Sequence, residues 1–392
     1  MIFGALMKLA ISILCENPLR KTGLTTTYHE FVAKSLKLFP DVSWIVFAGP
    51  NQDWRVTDPR VELVRRFPAN DRLKQRLVAD HFQVPPDARD RGADFLLTTG
   101  FVPVRKSLPI VMNVFFVQHL DRRNRVGLAR EWYRRWATRR WPRADLLIAN
   151  SHFAVSQILG VFPEVRERLV QSYEGLQHEQ FNPGGDSNEI ERLKTRMGID
   201  PGYFLWVSNF HAYKQAGLLL AGYARLDAEF RRKHPLVLVG GEWNGHRAAA
   251  QRQARALGLE PEAKFTGWVQ DDLLAPLFRQ AVAHILPSRE ETFGRTVIES
   301  MACGTPVVVN DIPIMREITA GQALMVDFND AAGVADALVR VAQDDTLRAR
   351  LRAGGLARAQ DFTFEKFASE RITVIQRLGS MLKAGRAPGQ TG

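Results

Sequence analysis

Short apolar runs alternate with longer amphipathic stretches along most of the chain. In the first half, the runs that predict buried strands are Leu9–Leu14, Trp44–Phe47, Phe95–Leu97, Ile110–Phe116, Leu146–Ala149 and Leu169–Tyr173. In the second half, they are Tyr203–Val207, Leu236–Val239, Ala263–Thr266, Ala281–Leu286 and Pro306–Val309. Strand-length runs that alternate with helical stretches are typical of a parallel sheet covered by helices. The pattern therefore predicts an α/β protein with one such sheet in each half.

A stretch without hydrophobic periodicity separates the two halves. The run EGLQHEQFNPGGDSN, residues 174–188, is rich in Gly, Asn and Pro, which indicates a connection between domains. The predicted divisions are a first domain over 1–182, an interdomain linker over 183–200, a second domain over 201–363, a long amphipathic helix over 364–384 and a disordered tail over 385–392.

The most informative stretch is residues 286–310, LPSREETFGRTVIESMACGTPVVVN. An apolar strand precedes a loop, and a helix is predicted to begin near Thr292–Gly294 because apolar residues from Val297 onward have helical spacing. A helix N-terminus presents unpaired N–H groups and the positive end of the helix dipole, which together favour an anion such as a diphosphate. The sequence therefore predicts an anion site at this loop.

Two carboxylates lie on either side of the predicted anion site. Glu291 precedes the helix and Glu299 follows eight residues later, which is about two turns at ~3.6 residues per turn, so both can project to the same side. A carboxylate beside a diphosphate is placed to accept hydrogen bonds from hydroxyls, as from the ribose and sugar of a nucleotide-sugar.

The Glu-x7-Glu pattern within ETFGRTVIESMACGTPVV resembles the donor-binding signature of glycosyltransferase family 4. The resemblance covers nearly the whole chain. It implies the GT-B fold, in which two Rossmann-like domains face each other across a cleft and a C-terminal helix crosses back to the first domain. It also implies a retaining hexosyltransferase that uses a nucleotide-sugar.

The resemblance assigns roles to individual residues of the second half. Glu299 would hold the ribose hydroxyls, Glu291 a hydroxyl of the donor sugar, and Lys214 the diphosphate. The family typically has Gly-Arg where this chain has Ser208 and Asn209. Asn209 can still donate hydrogen bonds, but one guanidinium fewer faces the diphosphate, so donor affinity is expected to depend more on Lys214.

Further candidate site residues are given by the resemblance or by their position at the end of a predicted strand. His119 follows a strand and would lie near the transferred sugar, although a lone histidine is as often structural. Gly23 matches part of a glycine-rich turn. Trp268 and Val269 end a strand whose loop contacts the nucleobase in relatives, and Trp268 either stacks on the base or fills the loop. The predicted catalytic residues are His119, Lys214 and Glu291; the predicted donor-binding residues are Gly23, Asn209, Lys214, Trp268, Val269, Glu291, Thr292, Phe293, Gly294, Arg295 and Glu299.

Neither a metal nor a cofactor is expected. The sequence contains no Asp-x-Asp triplet, which disfavours a metal-bound diphosphate. Its two cysteines, Cys15 and Cys303, lack metal-ligand spacing and fit a reducing cytoplasm.

The formal net charge of +11 lies mostly in the first half, where residues 1–185 carry 27 Lys and Arg against 18 Asp and Glu. The segment Asp121–Arg143 combines nine arginines with Trp132, Tyr133, Trp136 and Trp141, and on a helix these aromatic residues gather on one side. One interpretation is contact with an anionic membrane surface. The other is an amphipathic helix packed on the sheet with a solvated basic face.

The predicted function is hexose transfer to a lipid-linked or oligosaccharide acceptor in surface polysaccharide or lipopolysaccharide biosynthesis. The protein would act in the cytoplasm, at the inner face of the membrane, with a GDP-mannose-type donor or a UDP-hexose. One alternative is a GT-B nucleotide-sugar epimerase or phosphorylase, although epimerases of this architecture lack the Glu-x7-Glu run and no pyridoxal-type lysine is identifiable. The other is a non-catalytic binder of membrane or nucleic acid, in which interleaved Arg and Trp stack on bases; nucleic acid is not the expected partner.

Overall fold

The computed structural model describes residues 6–16, 23–117 and 128–385. The chain divides into two compact units. The first unit combines Met1–Gly175 with Thr363–Gly392, and the second is the continuous segment Leu176–Phe362.

The first unit contains a parallel sheet that has seven strands among the described residues. They are β1 (Met7–Ser12), β2 (Val42–Phe47), β3 (Val61–Val64), β4 (Phe95–Thr99), β5 (Ile110–Val114), β6 (Leu146–Ala149) and β7 (Leu169–Gln171). Their order across the sheet is β3-β2-β1-β4-β5-β6-β7. Every residue of β2 and β6 is buried, because a parallel sheet is covered by helices on both faces. This explains why the central strands read as continuous apolar runs.

Helices connect these strands. They are α1 (Gly23–Leu38), α2 (Leu73–Val78), a π-helical turn (Ala79–Gln83), α3 (Val84–Asp90), α4 (Leu128–Thr138) and α5 (His152–Val161), with 3₁₀ turns at Asn70–Arg72, Trp141–Arg143 and Pro163–Arg168. The start of α5 shows how the sequence sets a helix boundary. The Ser151 hydroxyl accepts a hydrogen bond of 2.9 Å from the Ala154 amide, which satisfies one of the unpaired donors of the first turn.

The second unit repeats this architecture with a six-stranded parallel sheet. Its strands are β8 (Tyr203–Val207), β9 (Leu236–Val239), β10 (Ala263–Gly267), β11 (Ala281–Leu286), β12 (Val307–Asn310) and β13 (Leu324–Val326), in the order β10-β9-β8-β11-β12-β13. Its helices are α6 (Glu189–Met197), α7 (Ala216–Tyr223), α8 (Ala228–Lys233), α9 (His246–Ala256), α10 (Asp271–Arg279), α11 (Arg295–Ala302), α12 (Pro313–Thr319), α13 (Ala331–Gln343) and α14 (Asp345–Ala359), with a 3₁₀ turn at Ala212–Lys214.

The last helix, α15 (Phe364–Lys383), belongs to the first unit. Its side chains Phe367, Ile372 and Ile375 share a core with strands β1 and β2. Arg371 is also buried there: it donates to the Asn113 side-chain oxygen and, at 3.2 Å, to the Ser172 carbonyl. Its guanidinium lies 4.1 Å from the centre of the Phe367 ring. Burial lowers the pKa of Arg371 to about 9, because an apolar environment disfavours the charged form.

The structure differs from the sequence-based prediction at several places. Strands β3 and β13 were not predicted. Residues 183–200, predicted as a linker, contain α6, which is part of the second unit. The divisions between the units fall at Gly175 and Phe362 rather than at residues 182 and 363. Residues 386–392 of the predicted tail lie outside the described residues.

Candidate functional site

The candidate site lies at the carboxyl ends of β8 and β11. These two strands are neighbours, and chain connections leave them in opposite directions across the sheet. In open α/β sheets, ligands bind at the carboxyl edge where the strand order reverses in this way. The loop after β8 carries Asn209 and Lys214, and the loop after β11 carries Glu291–Gly294. The fold therefore brings together the two sequence segments that were predicted to bind the donor.

Helix α11 begins at this edge. The N-cap is Gly294, with φ +91°, and among the described residues no side-chain hydrogen bond caps this helix. The first turn contains no acidic residue. The positive φ at Gly294 favours glycine, and a Cβ here would lie 2.6 Å from the Met315 methyl carbon, which would have to move. The result is a row of main-chain donors at the positive end of a helix dipole.

Glu291 and Lys214 form an ion pair beside this helix start. The Lys214 ammonium bonds to Glu291 Oε1, and 15% and 8% of the two side chains are exposed. Two backbone hydrogen bonds fix the pair: the Lys214 amide donates to the His211 carbonyl at 3.0 Å, and the Arg289 amide donates to the Tyr213 carbonyl at 2.9 Å. The loops after β8 and β11 are thus tied to each other. A bound anion at the helix N-terminus would compete with Glu291 for the same lysine.

Glu299 lies on α11 itself and is buried. Its Oε1 accepts a hydrogen bond of 3.2 Å from Arg295 Nε, one turn earlier on the same helix. Both predicted carboxylates, Glu291 and Glu299, are therefore largely shielded from water, and each has a cationic neighbour. Thr292 and Phe293 are also buried, and the Phe293 ring packs edge-on against Phe362 at 5.6 Å.

A close approach of three loops completes the edge. The Gly240 amide donates to the Gly267 carbonyl at 2.8 Å, and the Gly241 amide donates to Asn209 Oδ1 at 3.2 Å. A Cβ at Gly240 would lie only 1.6 Å from the Ser208 carbonyl oxygen. The loops after β8 and β9 and the end of β10 can meet here only because position 240 lacks a side chain.

An aromatic cluster beside Lys214 was not predicted from the sequence. The His211 ring stacks on Tyr213, with centroids 5.1 Å apart, and lies 4.4 Å from Trp243. Lys214 Nζ lies 5.4 Å from the Tyr213 ring centroid, within the range of a cation–π interaction. Burial, together with the charges of Lys214 and His246, lowers the pKa of His211 to about 4. The signal in the sequence was the placement of these aromatic residues directly after strands.

A buried histidine, His284, lies on β11, the strand that precedes Glu291. His284 is fully buried on β11, its ring packs edge-on against Phe278 at 5.2 Å, and both ring nitrogens lack a hydrogen-bond partner within the described residues. Burial, and to a lesser extent the charge of Lys214, lowers the pKa of His284 to about 3. The ring is therefore neutral at ordinary pH.

The remaining predicted site residues lie on other elements. Trp268 is 65% exposed and Val269 is half-buried, both just beyond β10. Gly23 begins α1 in the first unit. His119 lies outside the described residues. No group of three or more His, Cys, Asp or Glu side chains in the described ranges is arranged to hold a metal ion.

Part of the sequence matches a known family, and the chain has curated relatives. Residues 201–344 match the family described as Glycosyl transferases group 1. The chain is 28% identical over 236 residues to O-antigen chain mannosyltransferase B of Escherichia coli, an alignment that covers 60% of this chain and 61% of that protein. The chain thus spans less than two thirds of the length of this curated relative and of the others that it matches first.

Solved structures match nearly the whole chain. Sucrose-phosphate synthase from Thermosynechococcus elongatus superimposes with a TM-score of 0.78 at 18% identity, covering 95% of this chain and 99% of that one. The chain has the GT-B fold. HepE from Anabaena, solved in complex with UDP and glucose, matches with a TM-score of 0.70 at 18% identity and covers 96% of this chain and 100% of that one. The predicted α/β fold of the GT-B type is therefore confirmed.

Proposed function

We propose that this protein is a retaining glycosyltransferase that moves a hexose from a nucleotide-sugar to a glycan or lipid-linked acceptor. The observation that carries the proposal is the N-terminus of α11, which has Lys214 and Glu291 beside it and Glu299 on the same helix. This arrangement supplies main-chain donors and one cation for a diphosphate, and carboxylates for hydroxyl groups. A relative that transfers mannose in O-antigen synthesis supports the same class of reaction.

The proposed donor occupies the edge in a defined order. The diphosphate lies against the amides at Phe293–Arg295, Glu299 accepts hydrogen bonds from the ribose hydroxyls, and Glu291 accepts one from the sugar. Lys214 then turns from Glu291 toward the diphosphate. Because the oxygen that leaves with the diphosphate gains negative charge as the glycosidic bond breaks, a lysine and a helix dipole fixed beside it stabilise the transition state more than the ground state.

We propose that no metal takes part in this reaction. The support is chemical: Lys214 and the helix N-terminus provide positive charge where a divalent ion would otherwise neutralise the diphosphate. Catalysis would then depend on direct bonds from the protein and persist in the presence of a chelator.

The proposed sugar is mannose carried on GDP, with a UDP-hexose as the competing donor. The mannosyltransferase relative supports the first, and the fold neighbour solved with UDP and glucose supports the second. The acceptor is proposed to be a surface polysaccharide or lipopolysaccharide precursor, glycosylated at the cytoplasmic face of the membrane.

Thermal unfolding in the presence of GDP, UDP, GDP-mannose and UDP-glucose tests the donor assignment. A ligand that binds only the folded state, at a concentration of about 100 times its dissociation constant, adds about 2.7 kcal/mol of stability and raises Tm. We expect one nucleotide-sugar to do this, and Glu299→Ala to remove most of the shift. The control is Glu260→Ala, which removes an exposed carboxylate of the same unit.

The transfer itself is tested by product formation. Nucleoside diphosphate should accumulate from the identified donor when acceptor glycan is added and only slowly without it. A protein that shifts its Tm with none of the nucleotide-sugars, or in which Glu299→Ala leaves the shift intact, would contradict the proposed site.

A further inference from the structure

The second unit has a cavity at the amino edge of its sheet, the edge opposite to the candidate donor site. Its volume is about 780 Å³, within the range of ~300–1,000 Å³ that is usual for small-molecule sites. The first residues of β11, the residues just before β12, and helices α8, α13 and α14 line it. Gly304, also in the lining, follows the C-terminus of α11, whereas the donor site lies at the N-terminus of that helix. Eight residues at ~1.5 Å each put about 12 Å between the two.

The floor of the cavity is the amino end of a central strand. Strand β11 lies between β8 and β12, and the central strands of a parallel sheet are normally covered on both faces. Every residue of β8 and β12 is buried, yet Ala281 and Val282 at the start of β11 are only partly buried. An apolar part of the sheet is therefore left accessible from the cavity.

One wall of the cavity is aromatic. The rings of Phe230 and His234 lie next to each other, with centroids 4.9 Å apart, and both residues line the cavity. The His234 ring is held in place because its Nδ1 donates to the Gly202 carbonyl at 2.9 Å. Pro306 adds further apolar surface. Together with the strand floor, this wall suits the apolar or aromatic body of an organic ligand.

Two arginines of α14 form another wall. Arg348 is held at the end of α13, where its Nη1 donates to the Val341 carbonyl at 3.3 Å and also to the Ala342 carbonyl. Arg352 Nη1 donates to the Gly304 carbonyl at 3.1 Å, which is its one hydrogen bond within the described ranges. A guanidinium carries several N–H donors. Main-chain carbonyls therefore orient both arginines and leave them donors for a further acceptor.

The charged residues of the lining are mostly basic. Asp345, an acidic residue of the lining, bonds to Arg348, but its side chain is 88% exposed and can turn to water when another anion binds. Arg279 also lines the cavity, where Glu189 balances its charge. Arg348 and Arg352 are one turn apart on α14, at i and i+4, so they lie on the same face and can bind one phosphate group together.

We propose that this cavity binds a small organic phosphate, with the phosphate on Arg348 and Arg352 and an apolar or aromatic body against Phe230 and the start of β11. Arginine suits this role because its planar fork bonds to two phosphate oxygens at once. A phosphate ester is also found on lipid headgroups, but a cavity that takes up the body of the ligand favours a free metabolite. None of the described helices is long and apolar enough to cross a bilayer.

Binding at this cavity needs no residue of the donor edge. The inference and the proposed glycosyl transfer can therefore fail separately, because the first is measured with a phosphate ester alone and the second with a nucleotide-sugar.

Isothermal titration of the full chain with phenyl phosphate tests the proposal, because this probe carries both parts of the proposed ligand. Inorganic phosphate and phenol are the matched probes, each with one part only. We expect phenyl phosphate to bind saturably, at least about tenfold more tightly than inorganic phosphate, because burial of the ring adds to the charge attraction. Phenol should bind more weakly than phenyl phosphate, and Lys214→Ala should leave phenyl phosphate binding unchanged.

Arg348→Gln with Arg352→Gln should abolish phenyl phosphate binding, but this pair of changes also removes contacts to main-chain carbonyls. Ala349, an exposed residue of α14 that lines the cavity, offers a variant that keeps both arginines. Ala349→Glu should weaken binding about tenfold by charge repulsion, whereas Ala349→Gln, similar in size but uncharged, should change it by less than about twofold. Ala357→Glu makes the same charge change at an exposed position of α14 outside the cavity lining and should retain most of the binding.

Several results would overturn the proposal. One is the absence of saturable phenyl phosphate binding up to about 10 mM. Equal affinity for inorganic phosphate would indicate an adventitious ion only, and loss of binding in Lys214→Ala would move the probe to the donor edge. An Ala349→Glu protein that binds like the wild type would exclude the cavity. Competition by vesicles that contain phosphatidic acid would show that the surface takes a lipid headgroup instead of a free metabolite.

Discussion

Two buried ion pairs in the second unit are similar in burial and different in bonding. Arg279 donates to Glu189 Oε2 from two nitrogens, at 3.0 and 2.7 Å, and to the Asn182 carbonyl at 3.1 Å, while Gln280 donates to the other Glu189 oxygen at 2.6 Å. Lys214 bonds to Glu291 and lies over the Tyr213 ring. Side-chain exposure is 11% and 4% for the first pair and 15% and 8% for the second.

Their positions explain the difference. Arg279 ends α10 at the amino edge of the second sheet, where its ion pair with Glu189 holds α6 in place. Lys214 lies at the carboxyl edge, beside the start of α11. A guanidinium whose donors are occupied on several sides serves the fold. A lysine is a point charge on a flexible stem and can change partner without disturbing its neighbours. Although the two ion pairs are buried to a similar degree, Arg279–Glu189 is suited to a structural role and Lys214–Glu291 to a change of partner when a ligand binds.

The largest effect is expected from Glu189→Ala, which leaves Arg279 buried without its carboxylate. Breaking one side of a buried pair costs about 3–5 kcal/mol, measured as the free energy of unfolding in denaturant. The comparison is sharpened by the double variant Glu189→Met with Arg279→Met, which removes both charges and should recover most of the loss. A loss below about 1 kcal/mol in the single variant would contradict a structural role.

Unlike Glu189→Ala, Glu291→Ala should lower transfer activity more than it lowers the free energy of unfolding. We expect transfer to fall about 10²–10³-fold, because a hydrogen bond that orients the reacting sugar is lost in the transition state. The released Lys214 lies at the sheet edge and can turn toward water, so the free energy of unfolding should change less than in Glu189→Ala. Near-normal turnover with the identified donor would remove Glu291 from the site.

Lys214→Ala tests the exchange of partners. Without this charge, the KM for the donor should rise about 10–100-fold, with the loss carried by the nucleotide-sugar rather than by the acceptor. Lys233→Ala, which removes an exposed lysine at the end of α8, is the control. An unchanged donor KM would mean that Lys214 only supports Glu291, as Arg279 supports Glu189.

The smallest effect is expected from His284, the buried histidine on β11. The pKa of His284 is about 3 in the folded protein, below its ordinary value of about 6.5, so the unfolded chain binds more protons as pH falls. Stability is therefore lost progressively below about pH 6.5, by about 1 kcal/mol between pH 7 and pH 5.5. His284→Leu should remove about that much of the acid-dependent change in the free energy of unfolding. An identical pH profile for His284→Leu would contradict this assignment.

Most strands could be predicted because burial on both faces leaves an uninterrupted apolar signal. Strands β3 and β13 were missed; both are short edge strands that are only partly buried, although β7, which shares these features, was predicted. Helix α6 was missed because its segment begins in a Gly- and Asn-rich run, and its position depends on the tertiary contact between Glu189 and Arg279.

The parts of the site that could be predicted are those whose structure depends on neighbouring residues in the sequence. The start of α11 could be placed because Gly294 and the apolar spacing that follows are local features. The contact of His211 with Trp243 could not be inferred, since it requires the loops after β8 and β9 to meet at Gly240. The aromatic face of α4 was predicted in part: Tyr133 and Trp136 pack at His81, whereas Trp132, one turn before Trp136 on the helix, is exposed.

The return of α15 to the first unit affects how this protein folds during synthesis. Arg371, Ile372 and Ile375 complete a core whose strands are translated near the beginning of the chain. The first unit stays incomplete until α15 has left the ribosome, whereas the continuous second unit, which is translated before α15, can fold ahead of it. A truncation just after Phe362 would therefore produce a finished second unit attached to an aggregation-prone first one.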